Sequence, residues 1–465
     1  MSLPSDRDQT NSNSTVPSST PTLKARLVGL SLLPFGALSV VGFPSGSIQA
    51  NWFSFFNAIS WQIALGAPVI LYAQKLGAGD AMLGLLAALS PLLVIMQIPG
   101  AHLLPRFGYR RVMLSGWLAR TIILFVLASS PLWLGTRSGR LAAVMIGLTL
   151  FNFFRGLTGG AWMPWVTELI PHSVRGRFFS QQQIFSQIGG LIALGIVSIL
   201  LLGKPAAGQF ALTLLLSALG GAASLLFLAG TPDISAPHLR AQSGARVPWI
   251  AMIRFRPFFR LCVFNILLVL AMGGLGVFTV AFLRGVEGFS ESSIVLLSAM
   301  AVIGGLVSLL WSGPLMDRVS SGLIIRLGML IFTLIFAGWW MVAARIVPDP
   351  SLVVGALFGL SGIANINLTV ANFRLQSATI PMMGRNHFFA LFTVITSLAA
   401  AFSPIVWGLL LDAIGTFSAA TGPLLWNRYS IYFAIAFVLL LPTIFYSRYL
   451  IETPQPGSIL MAQSD

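Results

Sequence analysis

The sequence is poor in the residues that keep a soluble protein in water. Only 8% of its 465 residues are charged, and only 12 are acidic. A soluble domain needs about a quarter of its residues charged to cover its surface, whereas a helix that faces lipid needs none. The shortage of charge therefore excludes an ordinary soluble globular protein.

Cysteine and histidine are also scarce. Cys262 is the single cysteine and there are four histidines. One cysteine excludes an intrachain disulfide and any paired-thiol metal or redox motif. The sequence also lacks a His-rich metal cluster, a nucleotide-binding loop and a nucleophile elbow. These absences argue against a membrane enzyme, and they predict that no cofactor is bound.

The net charge of +15 could suggest a nucleic-acid partner, but the placement of the basic residues argues against one. Most of the 27 lysines and arginines lie in short breaks between apolar stretches. They form no basic face interleaved with aromatic residues, as a nucleic-acid groove would require. The sequence therefore predicts no nucleic-acid partner.

Apolar stretches dominate the chain, and hydrophobic residues make up 56% of it. Stretches of about twenty residues recur, each long enough to cross a hydrocarbon core about 30 Å thick. They predict an all-α integral membrane protein whose solvent is the lipid bilayer. The twelve predicted spans are 51–75, 80–103, 111–134, 141–167, 182–203, 208–230, 259–283, 293–313, 322–346, 351–376, 388–411 and 429–450.

The spans divide the chain into six, a polar connection, and six more. The N-terminal residues are rich in Ser, Thr and Pro and predict a disordered tail. The apolar segment that follows is short and broken by Pro34, which predicts an interfacial position. The predicted parts are a tail (1–22), an interfacial segment (23–50), a six-helix bundle (51–230), a connecting loop (231–258), a second six-helix bundle (259–450) and a C-terminal tail (451–465).

The distribution of basic residues predicts the orientation in the membrane. With twelve spans and the N-terminal tail inside, seventeen basic residues fall in inner segments and seven in outer loops. Because Lys and Arg accumulate on the cytoplasmic side, this bias predicts that both termini are cytoplasmic. Short loops without a targeting segment favour a bacterial inner (plasma) membrane.

An internal repeat links the two groups of six spans. The run PHSVRGRFF at 171–179 and the run PMMGRNHFF at 381–389 share Pro, Arg and Phe-Phe at matching positions, 210 residues apart. Each run follows the fourth predicted span of its half and precedes the fifth. Such a match predicts a duplicated half, and hence two pseudo-symmetric six-helix bundles.

The loops AHLLPRFGYRR at 101–111 and GPLMDR at 313–318 resemble the signature loop of the major facilitator superfamily. That pattern reads Gly, three residues, Asp-Arg, one residue, Gly, one residue and two basic residues. Both copies are incomplete: Ala101 and Pro105 stand for the family Gly and Asp in the first, and Ser320 for the second Gly in the other. The matching residues are Arg106, Gly108, Arg110 and Arg111 in the first copy and Gly313, Asp317 and Arg318 in the second.

The resemblance implies a secondary transporter whose signature loops help to close the cytoplasmic side. Asp317 is the carboxylate that survives in the pattern, with Arg175 or Arg177 as its hypothetical partner. The alternative is that these basic residues only orient the chain in the membrane. The predicted gating residues are Arg106, Gly108, Arg110, Arg111, Asp317, Arg318, Arg175 and Arg385.

Ionisable residues at membrane depth are costly and therefore point to function. Arg155 lies near the middle of the fourth span, where the resemblance implies a cavity-lining helix, and could hold an anionic group. Asn365 lies opposite it at the repeat offset of 210. The alternatives are a structural arginine, amides bonded between helices and tryptophans packed in apolar surroundings. The other predicted solute-binding residues are Asn57, Gln62, Asn265 and Trp162.

Proton coupling needs a carboxylate or histidine whose proton affinity changes with access. The predicted spans carry no acidic residue at mid-depth, and Glu168, at the end of the fourth span, is the best candidate. The alternative for Glu168 is a loop anchor. A uniporter or an anion exchanger is therefore favoured over a proton symporter, and the coupling ion stays open.

Together, these patterns predict a carrier that moves a small polar or anionic solute by alternating access of one site to the two sides of the membrane. The alternatives are a transporter of sugar-like solutes or amphipathic drugs with the same fold, and a membrane receptor or scaffold that transports nothing. The sequence determines neither the solute, nor the direction of transport, nor the oligomeric state.

Overall fold

The computed structural model describes residue 44 and residues 46–170, 175–233, 249–380 and 385–450. This part of the chain contains twelve helical spans of 18 to 30 residues that are long and apolar enough to cross a membrane. The all-α membrane fold and the number of spans are therefore confirmed. The predicted tails, and the interfacial segment up to residue 43, lie outside the described residues.

The first half of the chain forms spans 1 to 6. Span 1 consists of two helices, and a short 3-10 turn follows the first helix of span 2. The helices are Ser47–Ala64 and Ala67–Lys75 (span 1), Asp80–Leu92 with the turn Leu93–Met96 (span 2), Gln97–Trp133 (end of span 2, and span 3), Arg137–Gly159 (span 4), Trp162–Leu169, Arg175–Leu200 (span 5) and Ala207–Ala229 (span 6).

The second half forms spans 7 to 12, and its first span is again made of two helices. A short helix, Trp249–Arg254, precedes span 7, and span 7 consists of the helices Arg256–Met272 and Leu275–Gly285. The other helices are Glu291–Arg318 (span 8), Ser321–Ala343 (span 9), Ser351–Thr379 (span 10), Arg385–Ile414 (span 11) and Arg428–Tyr446 (span 12), followed by the 3-10 turn Ser447–Tyr449.

Consecutive spans run in opposite directions, so that the loops gather at two ends of the molecule. The Asp80 end carries the loops that follow the odd-numbered spans, beginning with residues 76–79. The Gly108 end carries the loops that follow the even-numbered spans. Gly108 makes the sharp turn between spans 2 and 3 with φ 77° and ψ 163°, a conformation that glycine adopts readily and other residues do not.

Span 1 begins at Ser47, inside the segment predicted to be interfacial. Gly46, with φ 95°, precedes the first helical residue, and the Ser47 hydroxyl donates to the carbonyl of Pro44 at 2.9 Å. Glycine tolerates this left-handed conformation at a helix boundary, so the helix starts after Gly46 rather than at residue 51.

Within each half, the helices pack through small residues and paired amides. A side chain at Gly362 of span 10 would overlap the backbone carbonyl of Ala301 in span 8, so these two helices touch backbone to backbone. In the same half, Asn265 of span 7 and Asn372 of span 10 exchange two hydrogen bonds, at 3.2 and 2.6 Å. Both contact types are typical of helices packed in a membrane.

A short β-hairpin joins spans 11 and 12 at the Asp80 end. Strand β1 (Ser418–Thr421) pairs antiparallel with β2 (Leu424–Asn427). The Leu425 amide donates to the Ala344 carbonyl at 3.1 Å, and the Asn427 side-chain amide donates to the Ala343 carbonyl at 2.8 Å. These bonds attach the hairpin to the end of span 9.

Candidate functional site

A cavity of about 670 Å³ lies between the two halves. Its walls come from spans 1, 2, 4 and 5 of the first half and from spans 7, 8 and 10 of the second. A cavity at the interface of two repeats is where secondary transporters bind their solutes. The volume is within the range of sites that enclose small organic ligands.

Both broken spans contribute a glycine of their breaks to this cavity, Gly66 in span 1 and Gly273 in span 7. Span 1 is interrupted at Gly66, just before Pro68, and span 7 is interrupted at Gly273 and Gly274. A side chain at Gly66 would overlap the carbonyl of Gln62, so only glycine fits there. Breaks at matching positions of two repeats are a recognised feature of transporter binding sites.

The cavity wall is mostly apolar, and the polar side chains in it are uncharged over the described residues. Amides, hydroxyls, glycines and apolar side chains line it, together with the indole of Trp61. The polar lining residues are Gln62, Ser90, Asn152, Gln183, Ser186 and Gln187 in the first half and Ser298, Ser361 and Asn365 in the second.

Arg155, predicted to contact the solute, is half-buried behind the wall of the cavity. Its Nη1 donates to the hydroxyl oxygen of Ser90 at 2.6 Å, and Ser90 does line the cavity. A bond from a guanidinium to a hydroxyl is charge-assisted and therefore strong. Arg155 thus reaches the cavity through Ser90.

Two of the predicted amides lie in the wall itself. Gln62 of span 1 and Asn365 of span 10 line the cavity from opposite halves. Asn365 is exposed to the cavity, and its side-chain oxygen accepts from the Thr369 hydroxyl at 3.3 Å. The structure therefore brings these two residues to a common site.

The other three predicted binding residues lie elsewhere. Asn57 accepts from the Trp117 indole at 3.2 Å, and Asn265 is bonded to Asn372 inside the second half. The ring of Trp162 packs against Phe53, with 4.7 Å between centroids. Each of these side chains connects helices of one half. They therefore have the structural role that was the alternative for amides bonded between helices and for tryptophans packed in apolar surroundings.

A cluster of polar side chains joins the two halves at the Asp80 end, and we call Asp80, Asp412, Arg428 and Tyr429 the Asp80 latch. Arg428 Nη1 lies 2.9 Å from Asp80 Oδ2, and the Tyr429 hydroxyl donates to Asp80 Oδ1 at 3.3 Å. The Asp412 carboxylate accepts from the backbone amides of Asp80 and Ala81 at 3.1 and 2.9 Å. Asp412 therefore places its negative charge at the N-terminus of span 2, where the helix dipole stabilises it.

The helices beneath the latch are in close contact across the same interface. A side chain at Gly84 of span 2 would overlap the backbone carbonyl of Pro404 in span 11. At the same end, the hydroxyls of Ser198 and Ser292 lie 3.0 Å apart and connect span 5 with span 8. These contacts hold the two halves together at the Asp80 end.

The family model described as the Major Facilitator Superfamily matches residues 50–384, which is most of the chain and includes the cavity and both signature loops. This chain belongs to the major facilitator superfamily. Members of this superfamily are membrane transporters, so the chain is a transporter and not an enzyme. No curated protein matches the sequence.

Solved transporters of the superfamily share the fold at low sequence identity. The nucleoside transporter NupG aligns with a TM-score of 0.63 and 13% identity over 88% of this chain and 99% of that one. The xylose transporter XylE from E. coli, solved in an inward-open conformation, aligns at 0.64 and 14% over 90% and 98%. A POT family transporter in complex with 5-aminolevulinic acid aligns at 0.65 and 15% over 89% and 98%.

The superfamily signature loop lies at the Gly108 end, opposite the latch. Arg106 and Arg111 are exposed, and Arg110 donates to the Ala229 carbonyl at 2.5 Å. Because Ala229 is the last residue of span 6, Arg110 caps the C-terminus of a helix in its own half. For the remaining predicted gating and coupling residues the structure describes the backbone but not the side chain: Asp317, Arg318, Arg175, Arg385 and Glu168.

Sequence reasoning missed Asp80, Ser90, Asn152 and the glutamines of span 5. Asp80 stands at a helix end, and its partner Asp412 is 332 residues away in sequence. The polar lining residues are ordinary hydroxyls and amides without a distinctive spacing. Glycine in the first span of each half was the available signal, because Gly66 and Gly276 match at the repeat offset of 210 and lie at or near the breaks of spans 1 and 7.

Proposed function

We propose that the protein is a secondary transporter of a small, uncharged, hydroxyl- or amide-bearing solute. The observation that carries this proposal is the lining of the cavity, whose described residues offer amides and hydroxyls but no charged side chain. Such groups both donate and accept hydrogen bonds, as a neutral polar solute requires.

An anionic solute is less well supported by the geometry. The guanidinium of Arg155 lies behind Ser90, and the wall between it and the cavity is neutral. An anion bound in the cavity would be desolvated without a direct cationic partner, which is costly. The indole of Trp61 instead offers an apolar face on which a sugar or a nucleobase ring could stack.

Alternating access would require the Asp80 latch to open. The latch holds residues of span 2 against residues of spans 11 and 12, so it must break before the cavity can reach the Asp80 end. The bias of basic residues towards the Gly108 end supports an orientation with the Asp80 end outside and both termini in the cytoplasm, in a bacterial inner membrane. The described arrangement would then be closed to the outside.

The solute class can be tested by thermal stability of the purified protein with neutral solutes (D-xylose, uridine), an organic anion (succinate) and a zwitterion (5-aminolevulinic acid). A ligand that binds the folded state stabilises it by about 2.7 kcal/mol at a hundredfold excess over Kd. We expect stabilisation by a neutral solute, in the parent and, more weakly, in Arg155→Ala. Stabilisation by an anion alone, abolished in Arg155→Ala, would overturn the neutral class and restore Arg155 as a direct ligand.

A solute that stabilises the protein is then tested for flux into proteoliposomes. Uptake that saturates and is inhibited by excess solute is the result expected of a carrier. Binding without flux, under conditions in which a co-reconstituted control carrier transports, would favour the receptor or scaffold alternative.

Orientation can be tested in cells with a reporter cysteine in the Cys262→Ala background. Lys204 lies in the exposed loop between spans 5 and 6, at the Asp80 end. We expect Lys204→Cys to react with a membrane-impermeant maleimide added outside intact cells, while Arg111→Cys at the other end reacts only after lysis. The reverse pattern would contradict the proposed orientation.

A further inference from the structure

The hydroxyl of Ser90 is held in an unusual way for a membrane helix. Serine and threonine in apolar helices usually donate to the carbonyl four residues earlier, as Ser54 and Thr121 do here. Ser90 instead accepts from Arg155 Nη1 at 2.6 Å, and in the described chain its own proton has no acceptor. Because Ser90 lines the cavity, that proton is available to a solute.

Asn152 offers the complementary group. Its side chain is 1% exposed, and its Nδ2 donates to the Leu148 carbonyl at 2.9 Å. The side-chain oxygen is buried and has no hydrogen-bond partner. A buried acceptor without a partner is costly, and Asn152 borders the same cavity as Ser90, so a ligand donor there would satisfy it.

We infer that Ser90 and Asn152 form a donor and acceptor pair that binds a hydroxyl or carboxamide group of a neutral solute, and that Arg155 orients the Ser90 hydroxyl without touching the solute. This inference rests on the proposed function and specifies the part of the cavity that recognises the solute. A guanidinium bonded to a hydroxyl oxygen polarises the O–H bond and strengthens it as a donor. Arg155 is thus a positioning residue.

The opposite wall of the cavity supplies matched controls. The Ser298 hydroxyl donates to the Ile294 carbonyl at 3.0 Å, and the Ser361 hydroxyl donates to the Leu357 carbonyl at 2.7 Å. Both serines line the cavity, but their protons are already used by their own helices. Replacing either should remove the same atom as Ser90→Ala without removing a free donor.

The pair is tested by the affinity for D-xylose and uridine, measured by ligand-dependent thermal stability of the full-length protein. We expect Ser90→Ala and Asn152→Leu each to raise the Kd by a factor of roughly ten for whichever solute the parent binds. A factor of that size is the effect of one hydrogen bond. Ser298→Ala should leave the Kd unchanged. Equal affinities of Ser90→Ala and Ser298→Ala would overturn the inference while leaving the proposed function intact.

The positioning role of Arg155 is tested by a double-mutant cycle with Ser90. If Arg155 acts only through Ser90, the variant Ser90→Ala/Arg155→Gln binds no more weakly than Ser90→Ala alone. Additive losses would show that Arg155 contacts the solute and would overturn this part. Should Arg155→Gln not fold, Arg155→Lys keeps a cation and a donor and enters the same cycle.

The two proposals fail in different ways. Should the parent protein bind neither neutral probe and bind succinate instead, the proposed solute class is wrong, and the donor and acceptor pair is rejected with it. Should the parent bind a neutral probe while Ser90→Ala and Asn152→Leu keep full affinity, only the assignment of the pair is wrong.

Discussion

The contacts within each half differ in kind from those between the halves. Inside the second half, Asn265 and Asn372 exchange two amide hydrogen bonds, and Gly362 lets spans 8 and 10 meet backbone to backbone. Between the halves, the polar contacts described at the Asp80 end are the ion pair, the phenol bond and the helix cap of the latch, together with the contact between the hydroxyls of Ser198 and Ser292. The first group can persist throughout a transport cycle, whereas the second must form and break.

This difference predicts that equivalent substitutions act on different properties. Damage within a half should lower the stability of the folded protein, because its packing has no alternative arrangement. Damage between the halves should mainly change the populations of the two access states, since the open state lacks those contacts anyway.

The largest effect is expected inside a half, at Gly362. A leucine there would overlap the Ala301 carbonyl and force spans 8 and 10 apart. We expect Gly362→Leu to lose about 3 kcal/mol of stability, seen as a lower thermal midpoint in detergent or as failure to accumulate. Gly359→Leu, on the same helix but facing open space, should be nearly neutral. Equal loss in both would mean that helix propensity, not this contact, decides stability.

The second effect is expected at the crossing of spans 2 and 11. Gly84→Leu would overlap the Pro404 carbonyl and keep the Asp80 end from closing. We expect transport in proteoliposomes to fall at least about tenfold, because the cycle cannot be completed, with the thermal midpoint near that of the parent. Gly195→Leu in span 5, with open space around it, is the control. Normal transport by Gly84→Leu would show that this contact is not needed for closure.

A smaller effect is expected from Asp80→Asn, which removes the ion pair of the latch. Because Arg428 is 34% exposed, water screens the pair, and we expect the closed state to lose about 1 kcal/mol, or roughly fivefold in population. Spin labels at Lys204→Cys and Thr421→Cys, on different halves in the Cys262→Ala background, would report a longer distance between the two labels in Asp80→Asn than in the parent. Arg345→Met, which removes an ion pair with Glu287 of the same half, should leave the distance between the labels unchanged.

The smallest effect is expected at the amide pair inside the second half. Asn265→Leu leaves the Asn372 amide without its partner and should cost about 0.6 kcal/mol of stability. The double variant Asn265→Leu/Asn372→Leu should lose less than the sum of the single variants, because no unpaired amide remains. Thermal midpoints of the four proteins measure the coupling, and strict additivity would argue against the pair.

The fold was largely predictable from the sequence because membrane burial imposes one strong requirement. Each crossing needs about twenty apolar residues, and the twelve runs of that length became the twelve spans. The start of span 1 was missed because the helix begins at Ser47, after a left-handed glycine, and apolar length alone does not mark such a boundary.

The site was less predictable because it depends on which side chains meet. Arg155 attracts attention as a charge at membrane depth, yet its contact with Ser90 joins residues 65 positions apart, and only the fold shows that Ser90 intervenes. In the structure, Gln62 and Asn365 line a common cavity, whereas the similar amides Asn57 and Asn265 lie inside single halves. Hydrophobic length does not distinguish these cases.

The hairpin between spans 11 and 12 bears on the rate of opening. Its hydrogen bonds connect the start of span 12 with the end of span 9. Asn427 also caps the helix that carries Arg428 and Tyr429. Arg428 and Tyr429 therefore belong to one rigid unit, and neither can leave Asp80 without moving that unit. Opening should therefore cross a single barrier, and its time course should follow one exponential.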